Sequence, residues 1–262
     1  MTLKFIYLYI YCFIILFLPI CLLIKQASSY LWFDFLDRAT EPVALSAYSV
    51  TLSIALIACF LNTIFGFLVA WILSRYKFQI SKLIDSIIDL PFALPTSVAG
   101  FTLCVVYSEQ GPFSVLLRNL HIQIVYTKLG ILFAMLFVSF PFIVRSVQPI
   151  IQTIEKELEE AAWSLGASPW ITFTKIIFPN LLPALFTGIT LAFSRSIGEY
   201  GSIVIISSNF AMKDLIAPVL IFQYLEQYDY AGATIIGSVI LFISLLLLFL
   251  INYIQKRQIF NL

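Results

Sequence analysis

Charge is the scarcest commodity in this chain. Only 29 of its 262 residues are charged, 15 basic and 14 acidic, for a formal net charge of +1. A soluble domain carries charge on roughly a quarter of its residues, so much of this perimeter must face something apolar. Each further shortage removes a class. A composition that is 61% hydrophobic excludes a disordered chain. The missing basic excess excludes nucleic acid as a partner. Four cysteines without a CxxC spacing exclude a disulfide scaffold and read as small packing residues inside apolar runs. The single histidine, His121, has no metal-ligating partner in sequence and reads as surface. None of the ten glycines opens a G-x4-G-K-[ST] phosphate loop, so the chain lacks its own ATP cradle. The class that remains is a polytopic membrane protein.

The charges leave six long gaps: residues 5–24, 42–74, 90–108, 129–154 interrupted once by Arg145, 176–194 and 230–255. A helix needs roughly 20 apolar residues to cross the hydrocarbon core, and each gap meets or approaches that length. Barrel strands alternate and are shorter, so the fold class is all-α with six transmembrane helices. The expected organisation is an N-terminal helix and external loop over 1–44, a transmembrane domain over 45–254 and an inside tail over 255–262. Within the domain the helices are expected near 45–74, 84–108, 129–151, 176–206 and 230–254. With the N-terminus inside, the inside segments carry nine Lys and Arg, Lys4 among them, against five outside. The positive-inside rule then puts both termini on the inner side. The first apolar run, 20 residues long, exceeds a signal-peptide core and reads as a retained anchor.

The longest inside segment lies between the fourth and fifth helices. It opens on Glu155, Lys156, Glu157, Glu159 and Glu160, a run that composition alone would read as a solvated helix. The spacing says more: Glu160-Ala161-Ala162, three residues, Gly166, nine residues, then Ile176-x-Phe178-Pro179. Over 155–179 this resembles the EAA loop of ABC-transporter membrane subunits, with Phe178 where Leu is usual. The resemblance implies a docking device for a separate ATPase. A short helix would end at Gly166, the residue best suited to a left-handed cap. Ala161 and Ala162 would let a partner groove approach, and Glu160 would offer it a charged acceptor.

Two further stretches stand out. In "SRSIGEYGS", Arg195 and Glu199 lie one helical turn apart near the end of the fifth helix. A charge in the membrane interior costs about 3 kcal/mol on insertion scales, so the two read either as a neutralised pair fastening helices or as part of a pathway or gate. In "DLPFALPTSVAG", Pro91 and Pro95 break successive backbone bonds and predict a kinked third helix, hinged or static. Together these stretches resemble the sulfate/thiosulfate permeases of the T-subunit type, within the sulfate–molybdate group of ABC importers, over about residues 45–254. Molybdate permeases typically have Phe at Tyr200, so the Tyr leans toward sulfate.

The resemblance implies a type I importer fold and a permease subunit that is not itself an enzyme, translocating sulfate or thiosulfate. Its implied partners are two copies of an ATPase, which would bind ATP and Mg, a second permease chain, an external sulfate-binding protein and membrane lipid. A molybdate or tungstate permease is the rival within the class. An ion-coupled secondary transporter using Arg195 and Glu199 as a relay is the rival outside it, and a membrane-embedded enzyme lacks any nucleophile–base pattern. With 25 Phe and 13 Tyr the composition suits an AT-rich genome. That points to a plastid-encoded subunit of the chloroplast inner envelope, with a bacterial inner membrane as the alternative.

Overall fold

A computed structural model describes residue 7 and residues 10–260, without the side chains of 258–260. Lys4, counted above among the inside charges, lies outside the described residues. The described residues form helices and loops, with no strand among them. In chain order the helices are α1 (Ile10–Ser28), α2 (Trp32–Ala39), α3 (Pro42–Arg75), α4 (Ser81–Ile88), α5 (Leu90–Ala93) and α6 (Thr96–Tyr107). There follow α7 (Ser114–Asn119), α8 (Lys128–Thr153), α9 (Lys156–Ser164) and α10 (Pro169–Ile197). The last three are α11 (Ile203–Ile206), α12 (Ala217–Glu226) and α13 (Tyr230–Phe260).

Five of these, α1, α3, α8, α10 and α13, are long and apolar enough to cross a membrane. The expected third span differs. It is not one kinked helix over 84–108 but two pieces, Ser81–Ala93 and Thr96–Tyr107, set at 116° to each other. The reason is local. A residue before proline is pushed out of the helical region, and Leu94 is extended at φ −87°, ψ 135°. Pro95 follows at ψ 134° and starts α6 afresh. Two prolines four apart here make a corner rather than a bend.

The core is a three-helix bundle of α3, α8 and α10. The side-chain amide of Asn62 donates to Leu136 O at 3.0 Å and to Ser139 Oγ at 2.9 Å. Further along, Ser74 Oγ donates to Gln148 O at 3.4 Å. The partners advance together, so α3 and α8 run parallel, and the chain between them must cross back once. The broken α4–α6 segment supplies that crossing. Lipid offers no hydrophobic drive for helices to associate, so close backbone approach through small residues carries the packing. The buried face of α3 fits this, with Ala44, Ala47, Ala55, Ala58 and Ala70 fully buried.

Helix α10 runs antiparallel to α8, with Gly188 against Ser146 near one end and Ile206, just past α10, beside Gly130 at the other. It starts at Pro169 through a π-turn over Phe173–Ile177 and stops at Ile197, so the helix expected over 176–206 is shifted and interrupted before α11. Helix α13 joins it through Gln255, whose side-chain amide donates to Pro183 O at 3.3 Å. At the opposite end α2, a helix within the expected external loop, is tied in by an ion pair between Arg38 and Asp229, while Tyr224 Oη donates to Glu41 at 3.0 Å.

Candidate functional site

The charged loop between α8 and α10 folds as a short helix with a finished end. Glu155 is extended at ψ 137° and α9 starts at Lys156. At the far end Gly166 sits at φ +85°. Its N–H donates to Trp163 O at 2.9 Å, and Ala167 N donates to Ala162 O at 3.0 Å. This double closure is the Schellman motif, which needs a left-handed residue at that point. Ser168 then caps the first turn of α10, accepting from Ile171 N at 3.3 Å.

The helix therefore presents a defined face. Leu158, Ala161 and Leu165 fall on one stripe at helical spacing and are exposed, Leu165 to 89%. Glu160 is exposed beside them, whereas Ala162 is buried at 6%. Of the two alanines, Ala161 alone is open to a partner. Trp163 and Trp170 add exposed aromatic surface. Large apolar side chains exposed on a segment outside the spans mark an interaction surface.

Two contacts that sequence reading missed connect this helix to the bundle. Arg75, at the end of α3, meets Glu159 of α9 at 2.7 Å, with both side chains largely buried, and the guanidinium lies 5.2 Å from the Trp71 ring centre. Behind it Phe67, Trp71, Phe173 and Phe178 form an aromatic cluster, in which Phe67 meets Phe173 and Phe178, and Trp71 meets Phe173, edge to face with centroids 5.6–6.3 Å apart. Phe178 thus packs as an aromatic anchor in the place where the motif usually carries Leu. The Arg75–Glu159 pair joins α9 to α3, and the aromatic cluster joins α3 to the start of α10.

A second cluster lies on the same side of the bundle. Arg145 Nε and Nη2 donate to Asp89 at 2.8 and 2.7 Å. Its Nη1 donates to Asp85 at 2.8 Å and to Gln148 at 2.7 Å, and Nη2 also reaches Asp85 O at 2.8 Å. All five guanidinium donors are used. Asp85 and Asp89 stand four apart, so one arginine of α8 grips the corner-forming α4–α5 segment at both ends of a turn. Gln148 Nε2 closes the ring by donating to Asp85 at 3.1 Å. The sequence offered one signal, Arg145 alone within an apolar run, but its partners lie 56 and 60 residues away.

Arg195 and Glu199 do meet, at 2.6 Å. Glu199 is 1% exposed, and its second oxygen accepts from Ser202 N at 3.0 Å and Ser202 Oγ at 2.8 Å. The carboxylate therefore bonds forward along the chain, to the residue that opens α11. It sets the turn Gly198–Ser202 that separates α10 from α11, while the Arg195 side chain remains about one-third exposed. That turn packs on the other break in the fold. A Cβ on Gly201 would lie 2.2 Å from Thr96 Oγ1, and one on Gly100 would lie 2.4 Å from Ser202 O. The Pro91–Pro95 corner and the Arg195–Glu199 turn thus lean on each other, at the start of α6. Tyr200 stacks obliquely on Phe222 of α12, with centroids 5.2 Å apart. Around the α2 end, Tyr107, Glu109, Arg118 and His121 line a groove of about 450 Å³.

This arrangement has known counterparts. The family described as "Binding-protein-dependent transport system inner membrane component" matches residues 62–260. A probable sulfate transport system permease protein of Mesostigma viride is 62% identical over 246 residues, covering 94% of this chain and 91% of its own. The protein of the same description from Nephroselmis olivacea is 59% identical over 248 residues, covering 95% and 87%. In Marchantia polymorpha the figures are 55% over 241 residues, covering 92% and 84%. Among solved structures, a bacterial ABC transporter that imports the acidic polysaccharide alginate superposes with a TM-score of 0.79 at 16% identity, over 98% of this chain and 94% of that one. The inward-facing MetNI methionine ABC transporter gives 0.60 at 18% identity, over 84% and 95%.

Proposed function

We propose that this chain, which belongs to the family of binding-protein-dependent transport system inner membrane components, carries sulfate across its membrane as the permease subunit of an ATP-driven ABC importer. The observation that carries the reading is the near full-length match, at 55–62% identity, to plastid-bearing algal and plant proteins named as probable sulfate permeases. The α9 geometry supports the energetic part. Its exposed stripe around Ala161, with Glu160 alongside, is shaped to enter a groove on a soluble motor.

The partners follow from that role. Two ATPase copies supply ATP and Mg chemistry, and closing them pulls on Glu160–Gly166. A second permease chain completes the path. An external binding protein delivers the anion on the α2 side, where the groove around Arg118 and His121 opens. Because α9 is clasped to α3 by Arg75–Glu159, motor movement tilts the bundle and not the loop alone. Arg195 is the pathway or gate cation. Glu199 holds it at the turn that abuts the Pro91–Pro95 corner, so motion of either break is felt by the other. The plastid relatives favour the chloroplast inner envelope over a bacterial inner membrane.

Sulfate uptake into vesicles carrying the whole complex tests this. Disabling the catalytic site of the partner ATPase should abolish uptake; continued uptake driven by an ion gradient would overturn it. Competition by molybdate at equal potency would move the substrate assignment to the neighbouring class.

A further inference from the structure

A groove of about 720 Å³ lies between α1, α2 and α13, away from the docking helix and the helix breaks. Ile24, Ala27, Val239 and Phe242 are among its walls, and Trp32 and Phe35 of α2 close one end. The two wall serines spend their donors within their own helices, Ser28 on Lys25 O at 2.8 Å and Ser238 on Ile235 O at 2.8 Å, which leaves Tyr30 as the wall's other hydroxyl. The groove is therefore mostly apolar surface, and neither serine has a free donor to offer.

Its place and size select the occupant. Both long walls are membrane-crossing helices that are otherwise little buried within the chain. Along α13 the lining runs from Ser238 to Leu245, about 10 Å of helix at 1.5 Å per residue. A spanning partner helix would need a track of about 30 Å, and it would run into α2. A flexible hydrocarbon chain entering beneath the stacked Trp32 and Phe35 rings meets neither obstacle. Charge completes the match. Lys25, next to the wall residue Ile24 in the last turn of α1, is exposed and makes no ion pair among the described residues. Arg38 is occupied by Asp229.

We infer that this groove is a lipid site, holding one acyl chain of a glycerolipid in the α2-side leaflet with an anionic headgroup against Lys25. The bound lipid would cement the N-terminal helices α1 and α2 to α13.

The test uses the assembled complex in nanodiscs of phosphatidylcholine and phosphatidylglycerol, doped with a trace of phosphatidylglycerol bearing a photoreactive acyl chain. Adducts mapped by peptide mass spectrometry should concentrate in residues 24–35 and 238–245 and be displaced by unlabelled phosphatidylglycerol. Val239→Trp, or Ser238→Phe on the same wall, should reduce labelling there several-fold while the complex still elutes intact. Lys25→Gln should remove the advantage of the phosphatidylglycerol reagent over its phosphatidylcholine counterpart. Labelling spread evenly over the outer faces of α3 and α13, labelling indifferent to both groove-filling variants, or protection of the two peptides by a partner subunit would each overturn the site. Equal wild-type labelling by the two reagents would overturn the anionic headgroup.

Discussion

Replacing Gly166 by alanine isolates one physical quantity. At φ +85° an L-residue pays for a left-handed backbone, which costs about 1–2 kcal/mol. Nothing is added by sterics, because a Cβ at Gly166 would meet no atom within 4 Å. That energy shifts the ratio of capped to frayed loop by roughly 5–30-fold. It matters here because α9 has nine residues, and a helix that short is marginal without its caps. The assay is ATP hydrolysis by the reconstituted complex, stimulated by loaded binding protein, alongside sulfate uptake and the amount of chain inserted. Gly166→Ala should lower the stimulated rate by up to that factor without lowering insertion. Gly166→Asn, which tolerates the left-handed region better, should lower it less. Gly166→Pro fixes φ near −65° and deletes the N–H that reaches Trp163 O at 2.9 Å, so coupling should vanish. Wild-type coupling in both the Ala and Pro variants would refute the reasoning.

Three further outcomes are expected. Glu160→Lys should leave the chain inserted and remove stimulated ATP hydrolysis, since only the docking face changes; unchanged stimulation counts against that face. Arg145→Ala strands Asp85 and Asp89 one turn apart and should accelerate proteolysis in the α4–α5 segment and slow uptake at least tenfold, with Arg145→Lys intermediate because it lacks the planar fork; equal proteolysis of all three forms would sink the grip. The Gly232 N–H donates to Asp229, and this bond together with Arg38 holds its carboxyl below the usual range, so its stabilising effect is complete above the ordinary pKa near 3.8 and is lost as pH falls through the lowered one. A disulfide placed between α2 and α13 should suppress acid-induced exposure of α2 below about pH 4, as read by limited proteolysis, and Asp229→Asn should expose α2 already at neutral pH.

The spans were legible because a long gap in charge is a one-dimensional signal. Gly166 was legible for a similar reason: a left-handed cap is a local need, met by one residue at one spacing. The corner at Leu94 went further than a kink because Pro91 and Pro95 act together with the extended residue between them. The Arg145 cluster and the Arg75–Glu159 clasp stayed hidden because both join residues far apart in the chain, and a lone arginine does not name its carboxylates. Arg195 and Glu199 were read as a pair from their spacing, but Ser202, which takes the second oxygen of Glu199, became visible only once the helix was seen to stop. Ala162 was counted with Ala161 because adjacent residues look alike in a motif, whereas on a helix they point 100° apart and one is buried.

The bond between Arg38 and Asp229 joins residues 191 positions apart. At a synthesis rate of roughly 5–20 residues per second, Asp229 is made about 10–40 s after Arg38. For that interval Arg38 has no Asp229 to pair with, and α2 lacks the tie that fastens it to the start of α13. The tie that fixes α2 is thus among the later ones to form, and it waits on α13. A chain that stopped before Asp229 would leave Arg38 of α2 without this partner.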